Sequence, residues 1–306
     1  MKPRAGASGF TLVELIVVIV LSGIVAAFVA RNIARPLLGF VDVSRRAELV
    51  DTGDTAISRI IRESRLALPN SIRVQGGVAL EFLRTRSGGR YRRLDIPGGG
   101  ENPLDFVAPD TSFDVLGQLN NFGVICAATT ANCGASVAST TACMASTAQD
   151  CLVIYNTGQP ADCSLLAAGR SNAYCGDNVA GIDIADTATA TMTFAFDSAT
   201  ENFPLPSPNQ RFHVVDTPVT YLCNLGTAQL LRFDGYPIAA TQPTIAAPPA
   251  TVGRVVADKI TGCEFVYDPG NSSRAAILSV RLTLADSDAL SESITLFQQA
   301  HVPNVP

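Results

Sequence analysis

Histidine is nearly absent: His213 and His301 are the only two in 306 residues. No Cys-x-x-Cys pair occurs among the eight cysteines, so a tetrahedral zinc site lacks its usual ligand spacing. There is no Gly-x-Ser-x-Gly, no His-Glu-x-x-His and no phosphate-cradling glycine loop. That removes the nucleophile elbow, the metallopeptidase helix and the nucleotide cradle in turn. His213 and His301 read as ordinary surface or edge residues. Charge is sparse at 16% of residues, the net charge is −5, and the positive side chains are scattered, which leaves no footprint for nucleic acid. These absences lead us to expect a chain that is not an enzyme, with no cofactor, no resident metal and no nucleic-acid partner. Asp183, Asp186 and Asp197 are the acids best placed to suggest calcium. They lack the ordered spacing of a calcium loop and read as solvated loop acids.

What is abundant is apolar sequence, 47% of residues. Part of the excess sits in one segment near the N-terminus, and the rest is Ala-, Val- and Thr-rich sequence of sheet and loop character. The cysteines, Cys126, Cys133, Cys143, Cys151, Cys163, Cys175, Cys223 and Cys263, all lie far from that segment. An even count without metal spacing reads as disulfides made in an oxidising compartment. The simplest pairing within 126–175 joins sequence neighbours, 126–133, 143–151 and 163–175, though the count alone allows many others.

The N-terminal segment carries the sharpest signal. Residues 1–9, MKPRAGASG, are short and basic, and FTLVELIVVIVLSGIVAAFVA follows with a single acid, Glu14. No charge then occurs until Arg31. At about 1.5 Å per residue a helix over 10–30 spans roughly the hydrocarbon core of a bilayer. A secretory signal also begins basic and turns apolar, and Val25-Ala26-Ala27 could pass for its cleavage site. Two features oppose that reading. Glu14 sits inside the apolar run, where a central charge costs about 2.5–3.5 kcal/mol and a peripheral one less. Gly9-Phe10 also precedes the run rather than following it.

Gly9-Phe10-Thr11-Leu12-Val13-Glu14-Leu15 resembles the leader junction of type IV pilins and type II secretion pseudopilins. The resemblance implies that a prepilin peptidase cuts after Gly9 and methylates the new amine of Phe10. It makes Glu14 the assembly acid, paired with the terminal amine of a neighbouring subunit, because a carboxylate among packed helices needs a positive partner. Implied partners are that peptidase, the other major and minor pilins of the filament and an inner-membrane assembly platform.

Past the membrane segment, Pro36 and Gly39 predict an interruption. From 44 to 68 apolar residues recur at spacings of three and four, from Leu49 through Ile57, Ile60 and Ile61 to Leu68, and Pro69-Asn70 stops the pattern. Beyond, 69–306 reads as a β-rich domain with a cysteine-rich insertion at 126–175. Expected strands include Ser71–Val74, Val78–Leu83, Thr191–Phe196, Phe212–Val215, Val219–Cys223, Gln229–Phe233, 255–267, Ala276–Leu284 and Ser293–Phe297, and the insertion holds one clear apolar run, Cys151–Tyr155. The glycines of 87–106 suggest a hairpin or loop, and Arg90, Arg92 and Arg93 there a solvated strand face.

Further blocks, Phe40–Asp51, Arg65–Ser71, Val219–Cys223, Cys263–Gly270 and His301–Pro306, resemble minor pilins of the mannose-sensitive haemagglutinin (MSHA) pilus system. That likeness implies a pilin-like α+β fold, with a long N-terminal helix packed on an antiparallel periplasmic β domain. It also implies a Cys223–Cys263 pair and a low-abundance subunit that initiates or caps a pilus. A type II secretion pseudopilin and a pilus-tip adhesin remain the alternatives.

Overall fold

The computed structural model describes residues 9–94, 98–117, 125–128, 138–159, 162–165, 170–186, 190–271, 274–286 and 292–306, leaving aside the side chains of 32–39, 41–42 and 185–186. The chain divides into two compact units, Met1–Asp51 and Thr52–Pro306.

Helix α1 is Leu12–Ser64. In the first unit its stretch Leu12–Arg31 is long and apolar enough to cross a membrane, and none of it is buried. Helical backbone continues through Pro36 and Gly39, where the sequence predicts an interruption. A proline inside a helix removes one backbone bond, and here that loss is confined to one turn of a 53-residue helix.

In the second unit the last turns of α1 bury Gly53, Ala56, Ile57, Ile60, Ile61 and Ser64, a stripe at spacings of three and four. A Cβ added at Gly53 would lie 2.6 Å from Leu296 Cδ1 and 3.0 Å from Leu284 Cδ1, so the glycine admits the close approach of two leucines. The helix stops four residues before the expected Leu68. Ala67 forms a bridge with Arg84 instead, and the Leu68 N–H donates to Leu83 O at 2.8 Å. The chain leaves the helix because sheet partners take over its backbone groups.

Among the described residues nine strands make the larger, antiparallel sheet: β1 (Arg73–Gln75), β2 (Ala79–Tyr91), β3 (Ser112–Leu116), β4 (Cys151–Ile154), β5 (Val179–Asp186), β6 (Thr191–Ala195), β7 (Arg211–Asn224), β8 (Gln229–Phe233) and β9 (Arg254–Ala257). Its axis is the pair β2–β7, which runs from Ala79 opposite Leu222 to Arg90 opposite Arg211. At one end β1 flanks β2, and β8 then β9 flank β7. At the other end β3, β6, β5 and β4 lead from the outer edge of β2 round to the outer edge of β7. Six strands, β2-β3-β6-β5-β4-β7, therefore close on themselves. Alternate residues point into this ring, among them Phe113, Leu152, Ile182, Phe194, Phe212 and Val214. Closure removes the unpaired edges that β3, β6, β5 and β4 would otherwise expose.

On the outer face of the ring, helix α2 (Thr140–Ala145) lays Cys143 against Cys151, Val153, Val179 and Val215. Ser139 caps α2 by accepting from the Ala142 N–H at 3.1 Å. The smaller sheet orders β10 (Ile260–Asp268), β11 (Ala276–Ala285) and β12 (Ser293–Val302), all antiparallel. Alternation along β11 buries Leu278, Val280, Leu282 and Leu284.

Several expectations need correcting. The glycines at 88 and 89 lie inside β2 and make no turn. A Cβ on Gly88 would meet Phe212 O at 3.0 Å, so the residue serves close strand packing. Phe212–Val215 and Val219–Cys223 are parts of one strand, β7, which passes through Pro218. Pro218 faces Leu83, next to a register shift of β2 that relieves the ladder around a residue without an N–H. The stretch 255–267 is two strands, divided at Lys259, whose φ is 58°. β12 runs on to Val302 and takes in His301. β3, β5 and α2 were not anticipated.

Candidate processing and assembly segment

Gly9 and Phe10 precede the helix and belong to no helix or strand. Phe10 is 80% exposed, and nothing lies within 4 Å of the position a Gly9 side chain would occupy. The junction is thus open to a peptidase. Thr11 follows, and its Oγ1 accepts from the Glu14 N–H at 3.3 Å. Thr11-Leu12-Val13-Glu14 is a Thr-x-x-Glu capping sequence, with Glu14 in the first turn, where the helix dipole favours an acid. Glu14 thus has a capping role beside the expected assembly role, and the three-residue spacing of Thr11 and Glu14 is its signal in the sequence. Further along, Ser22 Oγ donates to Val18 O at 2.6 Å, so its hydroxyl needs no outside partner in an apolar medium. The exposed face of this helix is otherwise apolar, including Leu12, Val13, Ile16, Ile19 and Ile24.

The cysteines occupy the second unit. Cys143 pairs with Cys151, Cys163 with Cys175 and Cys223 with Cys263, at Cα separations of 5.4, 5.2 and 6.3 Å. Cys126 is disulfide-bonded; the expected 126–133 pair lies outside the described residues, because Cys133 does. The Cys223–Cys263 bond ties β7 to β10 and so joins the two sheets.

Other singled-out groups have structural partners. His213 is half-buried and lies inside the sheet, not at an edge. It lies in β7 between β2 and β4, and burial, with the nearby Arg211 charge, pushes its imidazole down to about 4. His301 lies exposed on β12. Asp197 is not merely a solvated loop acid: it accepts from the Thr141 N–H at 2.9 Å at the start of α2. Asp183 lies on β5, and the side chain of Asp186 is outside the described residues. Among the described residues no group of three or more His, Cys, Asp or Glu is placed to hold a metal. Arg92 pairs with Asp114 at 3.3 Å, and Arg90 lies opposite Leu116.

Among the described residues, buried charge networks centred on Glu63 and Arg86 had no sequence signal. Glu63 of α1 accepts from Tyr221 Oη at 2.8 Å and from Arg232 Nε at 2.8 Å, and Arg232 also bonds Asp234 at 2.6 Å. Burial opposes ionisation of Glu63. The bonds from Arg232 and Tyr221 and the Arg232 charge outweigh it and hold the carboxyl below its ordinary range. The second network centres on Arg86, 3.4 Å from Asp150 and 3.2 Å from Asp216. Asp216 also has Arg84. Asp150 must share its cation, and burial pushes its carboxyl up to about 7 although the Cys126 N–H donates to it at 2.7 Å.

A family model described as the prokaryotic N-terminal methylation motif matches residues 4–30. No curated protein and no solved structure matches the chain. The match covers the open Gly9-Phe10 junction, the capped Glu14 and the apolar helix together, and it supports a type IV pilin-like protein processed by prepilin peptidase.

Proposed function

We propose that the chain is a minor pilin that takes part in initiating or capping a type IV pilus of the MSHA kind. The observation behind it is the methylation motif over 4–30, placed on a helix whose apolar surface is fully exposed. Removal of residues 1–9 takes away Lys2 and Arg4 and frees the amine of Phe10. That amine, once methylated, stays cationic and pairs with Glu14 of an adjacent subunit. Before extraction the helix crosses the inner membrane once, with the β domain in the periplasm; afterwards the subunit stands in the pilus at the cell surface. The role is structural, with no catalytic step of its own.

The minor assignment is supported by the blocks that resemble the minor pilin MshO and by the bulk of the domain behind the helix. A closed ring with a second sheet suits a tip or priming position better than a repeating lattice. The same motif serves type II secretion pseudopilins, so the discriminating experiment is deletion of the gene. The proposal expects loss or strong reduction of pili, with the protein at low abundance in sheared pilus fractions. Normal piliation with a defect in protein export would instead assign it to secretion.

A further inference from the structure

Each sheet ends in strands with one side unpaired. Among the described residues these are β1 and β9 of the larger sheet and β10 and β12 of the smaller. Three of the four are blunted in ways that discourage pairing with another chain. β1 has three residues and includes Arg73. β9 has four, includes Arg254, and meets a register shift in its ladder. β10 carries a bulge between Ile260 and Gly262 and the charges of Glu264 and Asp268. Its middle is also covered, since the Phe265 N–H donates to Gly77 O at 2.8 Å.

β12 has none of these devices. Its ten residues, SITLFQQAHV, include no Lys, Arg, Asp or Glu and no Pro or Gly. All ten pair with β11 in one unbroken register. Polar side chains of β12 turn back to β11: Thr295 Oγ1 lies 3.0 Å from Thr283 Oγ1, and Gln299 donates to Ser279 Oγ at 2.9 Å. Arg281, whose guanidinium lies 5.7 Å from the Phe297 ring centroid, is paired with Glu264 at 2.9 Å.

The direction of the backbone groups follows from the ladder. The bond to Gly77 points Phe265 away from β11, so its neighbours Glu264 and Val266 point toward β11. Their partners Arg281 and Ser279 point back, and Val280 and Leu282 therefore point to Gln298 and Leu296 of β12. By the same alternation Thr295, Phe297 and Gln299 direct their N–H and C=O groups outward. No hydrogen bond among the described residues reaches those groups. The side chains of the same three residues are exposed, Phe297 by 55%.

We infer that β12 accepts a strand from another protein chain, laid antiparallel along its outer edge. Main-chain bonds supply the attraction in such an addition, and alternate side chains the selectivity. The absence of charge on β12 and the pairing of Arg281 with Glu264 select an uncharged strand, and Phe297 selects a β-branched or aromatic residue opposite it. A second copy of β12 meets that description in part. A two-fold pair, however, opposes its two members, whereas the subunits of a filament share one direction. That exclusion rests on the proposed pilus function; the accepting edge does not.

The test places the photo-cross-linker p-benzoylphenylalanine, one site at a time, at Thr295, Phe297 and Gln299 of the full chain in its own membrane. Val266, two strands away, is the control. Peptide mapping of the cross-linked product reads the contact. The three edge sites capture one uncharged segment of a different chain, at residues that step back by two as β12 steps forward by two. The control captures none of it. Gln299→Pro removes an outward N–H and leaves the β11 ladder whole. It cuts capture at Phe297 about tenfold at an unchanged melting temperature. Phe297→Lys, read at Thr295, does the same and serves if the proline variant folds poorly. No capture, capture of a second copy alone, a captured helix, or capture untouched by both substitutions overturns the inference. A captured strand from secretion machinery upholds the accepting edge and contradicts the pilus assignment. Loss of pili on gene deletion, with no capture at β12, does the reverse.

Discussion

The Thr11 hydroxyl accepts a hydrogen bond from the Glu14 backbone N–H, so Glu14 stands at the third position of a capped helix as well as at the head of an apolar one. The two roles are separable. Thr11→Ala removes the cap and costs about 0.5–2 kcal/mol of local helix stability. Glu14→Gln keeps the cap geometry and removes the charge. We predict that Glu14→Gln and Glu14→Ala are cleaved normally but enter pili poorly, whereas Thr11→Ala enters at near wild-type level. Quantifying the protein in sheared pili and in membranes distinguishes these outcomes; equal incorporation of Glu14→Gln would remove the charge-pair argument.

Glu63 joins α1 to Tyr221 and Arg232 of the sheet. Glu63→Leu leaves Arg232, whose side chain is 4% exposed, with Asp234 alone. Urea unfolding should show a loss of about 1.5–3 kcal/mol, the range for a hydrogen bond to a charged group. Because the folded carboxyl titrates below its ordinary 4.5, its contribution is complete above that value and lost as pH falls through the folded value. Wild type should therefore lose more stability than Glu63→Leu on acidification below about pH 4.5.

Asp150 has the opposite sign. Its carboxyl is pushed up to about 7, so between about pH 4 and 7 the folded state holds a proton that the unfolded state has released. Stability should fall as pH rises across that interval and level off above it. Asp150→Asn, which still accepts from the Cys126 N–H, should flatten that slope in unfolding curves taken from pH 4 to 8. A slope unchanged by the substitution would mean that Asp150 is ionised throughout.

Cys223 and Cys263 close a loop of 40 residues, against 8 for Cys143 and Cys151. Chain-entropy arguments give about 4 kcal/mol for the longer loop and about 2.5 kcal/mol for the shorter. Replacing Cys223 and Cys263 together by Ala should lower the urea midpoint more than replacing Cys143 and Cys151 together. The reverse order would indicate that the sheets are held mainly by packing.

Legibility followed the range of the interactions. The leader, the apolar helix and the strands of the C-terminal third are written in local spacing, as the alternation of Leu278, Val280, Leu282 and Leu284 shows. The ring was not legible. β3 is short and its partner in β6 is distant in sequence, with Phe113 opposite Met192, and β5 completes the ring through a second distant partner, with Gly181 opposite Cys151. Ser87-Gly88-Gly89 looked like a turn because a glycine needed for strand packing and a glycine needed for a bend read alike. Pro218 seemed to divide β7 because a proline at a register shift reads like one between strands. The Thr11–Glu14 cap was legible and overlooked, since the acid already had an explanation.

The central claim is that Gly9-Phe10 is a processed junction on a membrane helix. Mass spectrometry of the mature N-terminus, on protein purified from its own membrane, tests it most directly. The account predicts a chain beginning with N-methylated Phe10. A chain beginning near Phe28, as an ordinary secretory signal would leave, or an unprocessed Met1, would contradict it.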